Sequence, residues 1–211
     1  MLYYMINKPF GCVTACGDDV YPTVMDCLPP DLASRLHPVG RLDYDTRGIL
    51  ILTDDGELDQ ALLLPENHVE KEYFFYAIGV LDDEKNSRIE NGVVIDGGRR
   101  ARSAGITVEN VCTVKDIEAY LPSYRRDRYM KNPNGGAFSA RLTIREGKKH
   151  QVKLMMRSVG CRVCALFRTS FAGITLDPAL REGEYRELRS DEISVIEDAK
   201  ARYREKRKTD Q

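Results

Sequence analysis

The sequence predicts an α+β fold with a mixed sheet. Strand-like and helix-like stretches are interspersed along the 211 residues, and several neighbouring strands are joined by short turns. No repeat or low-complexity linker divides the chain, so it reads as one large domain or two intimate subdomains.

Residues 2–6 read as a short strand, closed by the turn Asn7-Lys8-Pro9-Phe10-Gly11, which Pro9 and Gly11 punctuate. Pro29 and Pro30 end the next segment. Residues 49–53 are a continuous apolar run, the pattern of a strand buried on both faces. A helix is predicted over 57–64, stopped by Pro65, and an aromatic-rich strand over 70–79. The helix predicted over 82–91 opens with Asp82, Asp83 and Glu84, which suit the positive end of its dipole, and Gly92 ends it. Strands are expected at 93–95 and 104–111, around Gly97-Gly98.

Residues 112–136 are the least regular stretch, and a mobile loop is expected there. Phe138, Ala140, Leu142 and Ile144 alternate with mostly polar neighbours, so 138–145 reads as a half-buried strand. Across 148–159, Val152, Met155, Met156 and Val159 recur at helical spacing and mark a core-facing helix, ended by Gly160. Strands follow at 163–167 and 173–176. Ser190 can cap a final helix with Asp191 and Glu192 in its first turn. The chain divides on this reading into a folded part, 1–197, and a charged tail, 198–211, expected to fray.

Hydrophobic residues make up 42% of the chain, enough for a core, and charged residues 31%. With 32 Lys+Arg against 33 Asp+Glu, the net charge of -1 does not mark a nucleic-acid binder; only the distribution of charge could. Basic residues do cluster: Arg99, Arg100 and Arg102; then Arg125, Arg126, Arg128 and Lys131, interleaved with Tyr124 and Tyr129; then Lys148, Lys149, His150, Lys153 and Arg157. Such clusters can present a basic cleft to phosphates, although each reads equally well as a solvated face.

The first residues lack a basic leader and a cleavage site, and no apolar run approaches the ~20 residues that cross a membrane. A cytoplasmic chain without membrane contact is expected, its six cysteines reduced. Only Cys161 and Cys164 are spaced Cys-x-x-Cys, and His37, His68 and His150 are scattered, so no metal site is expected.

The most informative segment runs from Gly40 to Gly56. A charged loop, Gly40-Arg41-Leu42-Asp43-Tyr44-Asp45, leads directly into the apolar run and an Asp54-Asp55-Gly56 turn. Charge held against a core needs a partner or a use. Two further segments belong with it: Lys71-Glu72-Tyr73, and Glu146-Gly147-Lys148-Lys149-His150-Gln151-Val152-Lys153.

Together these segments resemble, in order, the motifs of the RsuA-like pseudouridine synthases that modify ribosomal RNA. The Asn7-Lys8-Pro9-Phe10-Gly11 opening resembles the start of that family's catalytic domain, and Gly183-Glu184-Tyr185-Arg186-Glu187-Leu188 resembles its C-terminal signature. The resemblance implies the pseudouridine synthase fold: a mixed, mainly antiparallel sheet with flanking helices and a central cleft. It implies an isomerase acting on a specific uridine in RNA, with ribosomal RNA or a ribosome assembly intermediate as the expected partner and a monomer expected. The alternative is a non-catalytic RNA-binding or assembly protein of the same fold.

By the same resemblance Asp43 is the catalytic residue, with Asp45 its rival two positions on. Lys153 is the cation that keeps a desolvated carboxylate ionised. Tyr73 stacks on the target base and its hydroxyl could share in proton transfer; an alternating strand leaves open whether Tyr73 and Phe75, or Phe74 and Tyr76, face the cleft. Arg41 holds the extruded nucleotide, His150 and Gln151 order their loop or touch phosphate, and Leu176 supplies an apolar wall. The reaction breaks the N1–C1′ bond, turns the uracil and joins C5 to C1′, with no redox change, so no cofactor is implied. The family's small N-terminal S4 RNA-binding domain is not expected, since the motifs begin at once. Arg47 and Glu72 are charged where the family pattern has small or neutral residues.

Overall fold

The computed structural model describes residues 1–209. In chain order, β1 spans Tyr3–Lys8, α1 Pro30–Ala33, β2 His37–Val39, β3 Thr46–Thr53, α2 Gly56–Leu63 and β4 Lys71–Ile78. Then follow α3 Asp83–Glu90, β5 Gly105–Thr113, α4 Arg126–Tyr129, β6 Gly136–Ile144, α5 Gln151–Ser158 and β7 Arg162–Phe171. The chain closes with β8 Ile174–Thr175, β9 Tyr185–Glu187 and α6 Ser190–Thr209. Helices start where side chains satisfy free N–H groups: the Asp55 carboxylate accepts from Glu57 N–H at 3.1 Å at the head of α2, and Asp82 accepts from Lys85 N–H at 2.9 Å at the head of α3.

The chain divides into two compact units. The first holds Met1–Lys71 and the chain from Arg168 onward; the second holds Glu72–Phe167.

In the first unit β3 is the central strand. It pairs antiparallel with β1 from Tyr3↔Thr53 to Lys8↔Gly48 and with β2 from His37↔Thr53 to Val39↔Ile51. β9 adds to the far edge of β1, and β8 returns along the end of β7. Alternation sends Ile49 and Ile51 to one core, with Tyr3, Met5, Leu58, Phe171 and Ile196, and Leu50 and Leu52 to another, with Ile6, Val24, Met25 and Leu36. The apolar run of β3 is therefore buried on both faces, as its composition predicts.

In the second unit β5 and β6 pair antiparallel with a bulge between Val108 and Asn110, and β4 lies beside β6. Tyr73, Phe75 and Ala77 of β4 are buried while Phe74, Tyr76 and Ile78 are only partly so. A satellite core of Val114, Ile117, Leu121 and Ala137 packs with Tyr76, Ile78, Tyr129 and Met130.

Three sequence expectations are corrected. Residues 93–95 form no strand; Val94 makes only an isolated bridge with Arg100 across the Gly97-Gly98 turn. The irregular stretch 112–136 is not an open loop. It holds the end of β5, two 3-10 turns and α4, and its scattered apolar residues build the satellite core. The tail expected to fray from Lys200 is helical through Thr209, because Lys200 is buried against Asp55 at 2.7 Å. The last two residues of that tail, 210 and 211, lie outside the described part.

Candidate active site

The first unit, taken by itself, holds the Arg41–Asp43 loop between β2 and β3. Leu42 is buried, which plugs the loop into the core and leaves its flanking residues outward. The Thr14 hydroxyl accepts from Leu42 N–H at 3.1 Å and donates to the Leu42 carbonyl at 2.9 Å. The Asp43 carbonyl accepts from Thr46 N–H at 3.0 Å, closing a turn into β3. Asp43 is half-buried, whereas Asp45, Tyr44 and Arg41 are exposed. Burial thus separates the two candidate carboxylates that sequence alone left side by side. Arg41 makes no ion pair with either aspartate.

Under this loop lies Lys8, fully buried, its ammonium donating to the Thr46 carbonyl at 2.9 Å and the Pro9 carbonyl at 3.0 Å. Burial pulls the Lys8 amine below the ordinary lysine range; Cys12, Asp45 and Asp43 oppose that pull. A lysine here serves as a fixed cation beneath the carboxylate loop. The Asn7–Gly11 turn is held in place from three sides. Gly11 N–H donates to the Tyr44 carbonyl at 2.9 Å, Asn7 N–H to the Glu184 carbonyl at 3.0 Å, and Gly183 N–H to the Asn7 carbonyl at 2.8 Å. Arg47, unexpected from the family pattern, bridges the same pieces: it pairs with Glu182 at 2.9 Å and lies 4.9 Å over the Phe10 ring. Leu176, at the end of β8, is half-buried and packs onto the core that holds Phe171 and Ile174.

The second unit, taken by itself, holds Tyr73 and the start of α5. Tyr73 lies on the buried face of β4 beside Phe75, at 9% exposure. No hydrogen bond to a described residue ties its hydroxyl. Glu72, the other residue at odds with the family pattern, pairs with Arg141 at 2.9 Å.

Before α5 the chain makes a compact loop around Glu146, whose carboxylate accepts from Arg102 N–H at 2.9 Å and from the Gln151 amide at 2.6 Å, and pairs with Lys148. Burial raises the Glu146 carboxyl, but the Lys148, Arg102 and Gln151 donors overcome it and leave it below the ordinary range. Gln151 is buried, and its carbonyl oxygen also accepts from Lys148 N–H at 2.9 Å. Its amide is thereby committed to ordering the loop. His150 is exposed and adopts a left-handed backbone, φ 55°. A non-glycine residue there is uncommon and concentrates at functional segments. Lys153 is half-buried in the first turn of α5. A cation at that end opposes the helix dipole, so helix stability does not account for it.

The Cys161 thiol is buried against the Val80 carbonyl at 3.6 Å. Burial raises both cysteines of the Cys-x-x-Cys pair, Cys164 to about 11, which disfavours the thiolate that zinc or redox chemistry needs. Among the described residues no group of three or more His, Cys, Asp or Glu is placed to hold a metal. No described helix is long and apolar enough to cross a membrane.

Sequence reasoning missed Lys8 and Thr14 as parts of this site. Lys8 read as a turn residue and Thr14 as nothing in particular, because their partners Thr46 and Leu42 are 38 and 28 positions away.

Comparison with known proteins gives the family. Residues 2–158 match the family model described as RNA pseudouridylate synthase. An uncharacterized RNA pseudouridine synthase, YtzG, of Bacillus subtilis is 37% identical over 201 residues, covering 95% of this chain and 75% of its own length. The ribosomal small subunit pseudouridine synthase A of Escherichia coli is 34% identical over 194 residues, 92% of this chain and 73% of its own. Among solved structures, a pseudouridylate synthase superposes with a TM-score of 0.76 at 31% identity, covering 92% of this chain and 73% of that one. Human RNA pseudouridylate synthase domain containing 1 has a TM-score of 0.56 at 13% identity, over 95% of this chain and 91% of that one, a likeness of fold alone.

Proposed function

This chain belongs to the RNA pseudouridylate synthase family and is an RNA pseudouridine synthase; from that premise we propose that it isomerises one uridine of small-subunit ribosomal RNA, with Asp43 as the residue that acts. Its similarity to ribosomal small subunit pseudouridine synthases supports the choice of RNA. The observation that carries the choice of residue is the build of the Arg41–Asp43 loop. Thr14 and Lys8 clamp the backbone on both sides of Asp43, and Asp43 is half-buried where Asp45 is exposed. A carboxylate that must meet a sugar or base in one orientation needs such a fixed backbone.

Asp43 acts on C1′, on C6 or on the C2′ proton, and the N1–C1′ bond breaks. The freed uracil turns, C5 bonds to C1′, and the C5 proton leaves, so product and substrate are isomers. Tyr73 supplies a flat wall for the turning base, a role suited to a ring packed into β4 with a free hydroxyl. Lys153 supplies positive charge and Arg41 holds the flanking phosphate or sugar; the exposed His150 touches phosphate, and Gln151 keeps the loop in shape. Leu176 gives an apolar surface that excludes water. The target nucleotide is presented flipped from its stack. We take the two units as one catalytic module that works as a monomer in the cytoplasm.

The test is pseudouridine mapping of ribosomal RNA from cells lacking this protein, complemented with wild type, Asp43→Asn or Asp45→Asn. The expected result is one lost site, restored by wild type and Asp45→Asn but not by Asp43→Asn. An unchanged map, or restoration by Asp43→Asn, would overturn the proposal.

A further inference from the structure

The segment Tyr124–Lys131 carries chemistry that the catalytic residues do not use. Between Leu121 and Gly136 there are four cations, Arg125, Arg126, Arg128 and Lys131, against one carboxylate, Asp127. Arg126, Arg128 and Lys131 are exposed, and none of them forms an ion pair among the described residues. Elsewhere some exposed arginines are neutralised: Arg141 pairs with Glu72 and Glu109, Arg181 with Glu184, and Arg204 with Glu57. Like charges gathered with so little counter-charge repel one another, a cost that a bound polyanion would offset.

The patch also presents an aromatic ring. Tyr124 is 74% exposed, with the Arg125 guanidinium 5.2 Å from its ring centre. One face of the ring is thus backed by a cation and the other is open. An exposed tyrosine beside arginines is the usual platform for an unpaired base, because every base has a face to stack.

The support beneath is firm. Tyr129 and Met130 pack on the satellite core of Val114, Ile117 and Leu121, which turns Arg126, Arg128 and Lys131 outward. Backbone hydrogen bonds from Val114 to Gly135 and from Lys115 to Pro133, both 2.9 Å, close the segment at its base.

We propose that the Tyr124–Lys131 patch is an RNA-docking surface that grips nucleotides of the substrate other than the reacting one, its cations on backbone phosphates and Tyr124 stacked on an unpaired base. This rests on the RNA-modifying function proposed above. The patch supplies affinity and leaves the chemical step alone.

The test uses the full chain and an in vitro transcript of small-subunit ribosomal RNA. Binding across a salt series and single-turnover isomerisation are measured for wild type, for Tyr124→Ala and for the combined Arg126→Gln, Arg128→Gln, Lys131→Gln variant. An Arg202→Gln, Arg207→Gln, Lys208→Gln variant, altered at three exposed positions of α6, controls for net charge. The expected result is that the triple variant binds about ten-fold or more weaker. Its log Kd against log salt slope falls by about two, since each lost phosphate contact removes roughly 0.7 on a single strand. Tyr124→Ala weakens binding about five-fold or more at an unchanged slope, as loss of a stacked base requires. The rate at saturating RNA stays at the wild-type value in both. A triple variant with wild-type affinity and slope, or one no weaker than the α6 control, overturns the proposal and leaves a protein-facing surface in its place. If wild type binds RNA but never isomerises it, the catalytic reading fails and the binding arm still decides the patch. If wild type binds no RNA, both fail.

Discussion

Thr14 holds Leu42 by both ends of its residue: one hydroxyl accepts from the Leu42 N–H at 3.1 Å and donates to the Leu42 carbonyl at 2.9 Å. The bond pair fixes the peptide that carries Asp43. Thr14→Val keeps the shape and removes both interactions, leaving a buried N–H and carbonyl unmatched. The expected loss is about 1–3 kcal/mol of stability, together with a fall in kcat of ten-fold or more at an unchanged RNA Kd. Thr14→Ser is expected to restore most of both. Equal kcat for Val and wild type would show that the loop needs no such latch.

Lys8 works from beneath the same loop. With its ammonium on the Thr46 and Pro9 carbonyls, Lys8→Met removes two donors from a fully buried position. Single-turnover assays are expected to show a slower chemical step while RNA binding holds. Loss of binding with an intact chemical step would contradict a role in placing Asp43.

A buried ion pair sets the acid limit of the first unit. Lys200 on α6 lies 2.7 Å from Asp55, the cap of α2, and Tyr3 donates to the same carboxylate at 2.7 Å. Burial raises the Asp55 carboxyl, yet the Lys200 and Tyr3 hydrogen bonds overcome it and leave it below the ordinary range. A carboxyl depressed in the folded state gives its full stabilisation above the unfolded value, about 4, and loses it as pH falls through the folded value. Asp55→Asn is expected to cost about 1–3 kcal/mol at pH 7, because buried Lys200 loses its nearest carboxylate and keeps only the more exposed Glu197 at 3.1 Å and Glu57 at 3.9 Å. The variant should also lose less further stability than wild type as pH falls below about 4. Urea unfolding from pH 7 to pH 3 reads both, and parallel acid profiles would refute the pairing.

Gly48 tolerates no side chain. Its φ is +109°, and a Cβ there would sit 2.2 Å from the Arg168 carbonyl oxygen and 2.7 Å from its nitrogen. Gly48→Ala is expected to yield insoluble or unfolded protein, judged by circular dichroism. A folded Gly48→Ala with wild-type Tm would show that β3 and the end of β7 can separate.

Local sequence determined most of the elements, because their signals are local. The apolar run of β3, Asp82 at the head of α3, and the helical spacing of Val152, Met155, Met156 and Val159 each depend on near neighbours. It also determined the chemistry on offer, since Asp43, Tyr73 and Lys153 stand in recognisable segments. Tertiary structure decided what those segments do. Aromatic residues on both faces of β4 give alternation no polarity, so only packing sends Tyr73 and Phe75 inward. Asp43 and Asp45 are equivalent in sequence until Leu42 is buried and one carboxylate follows it. Lys200 looks like part of a charged tail until Asp55, 145 positions away, takes its charge. Such long-range pairings leave no periodic trace in the chain, and they appear only when the backbone has brought both partners to one place.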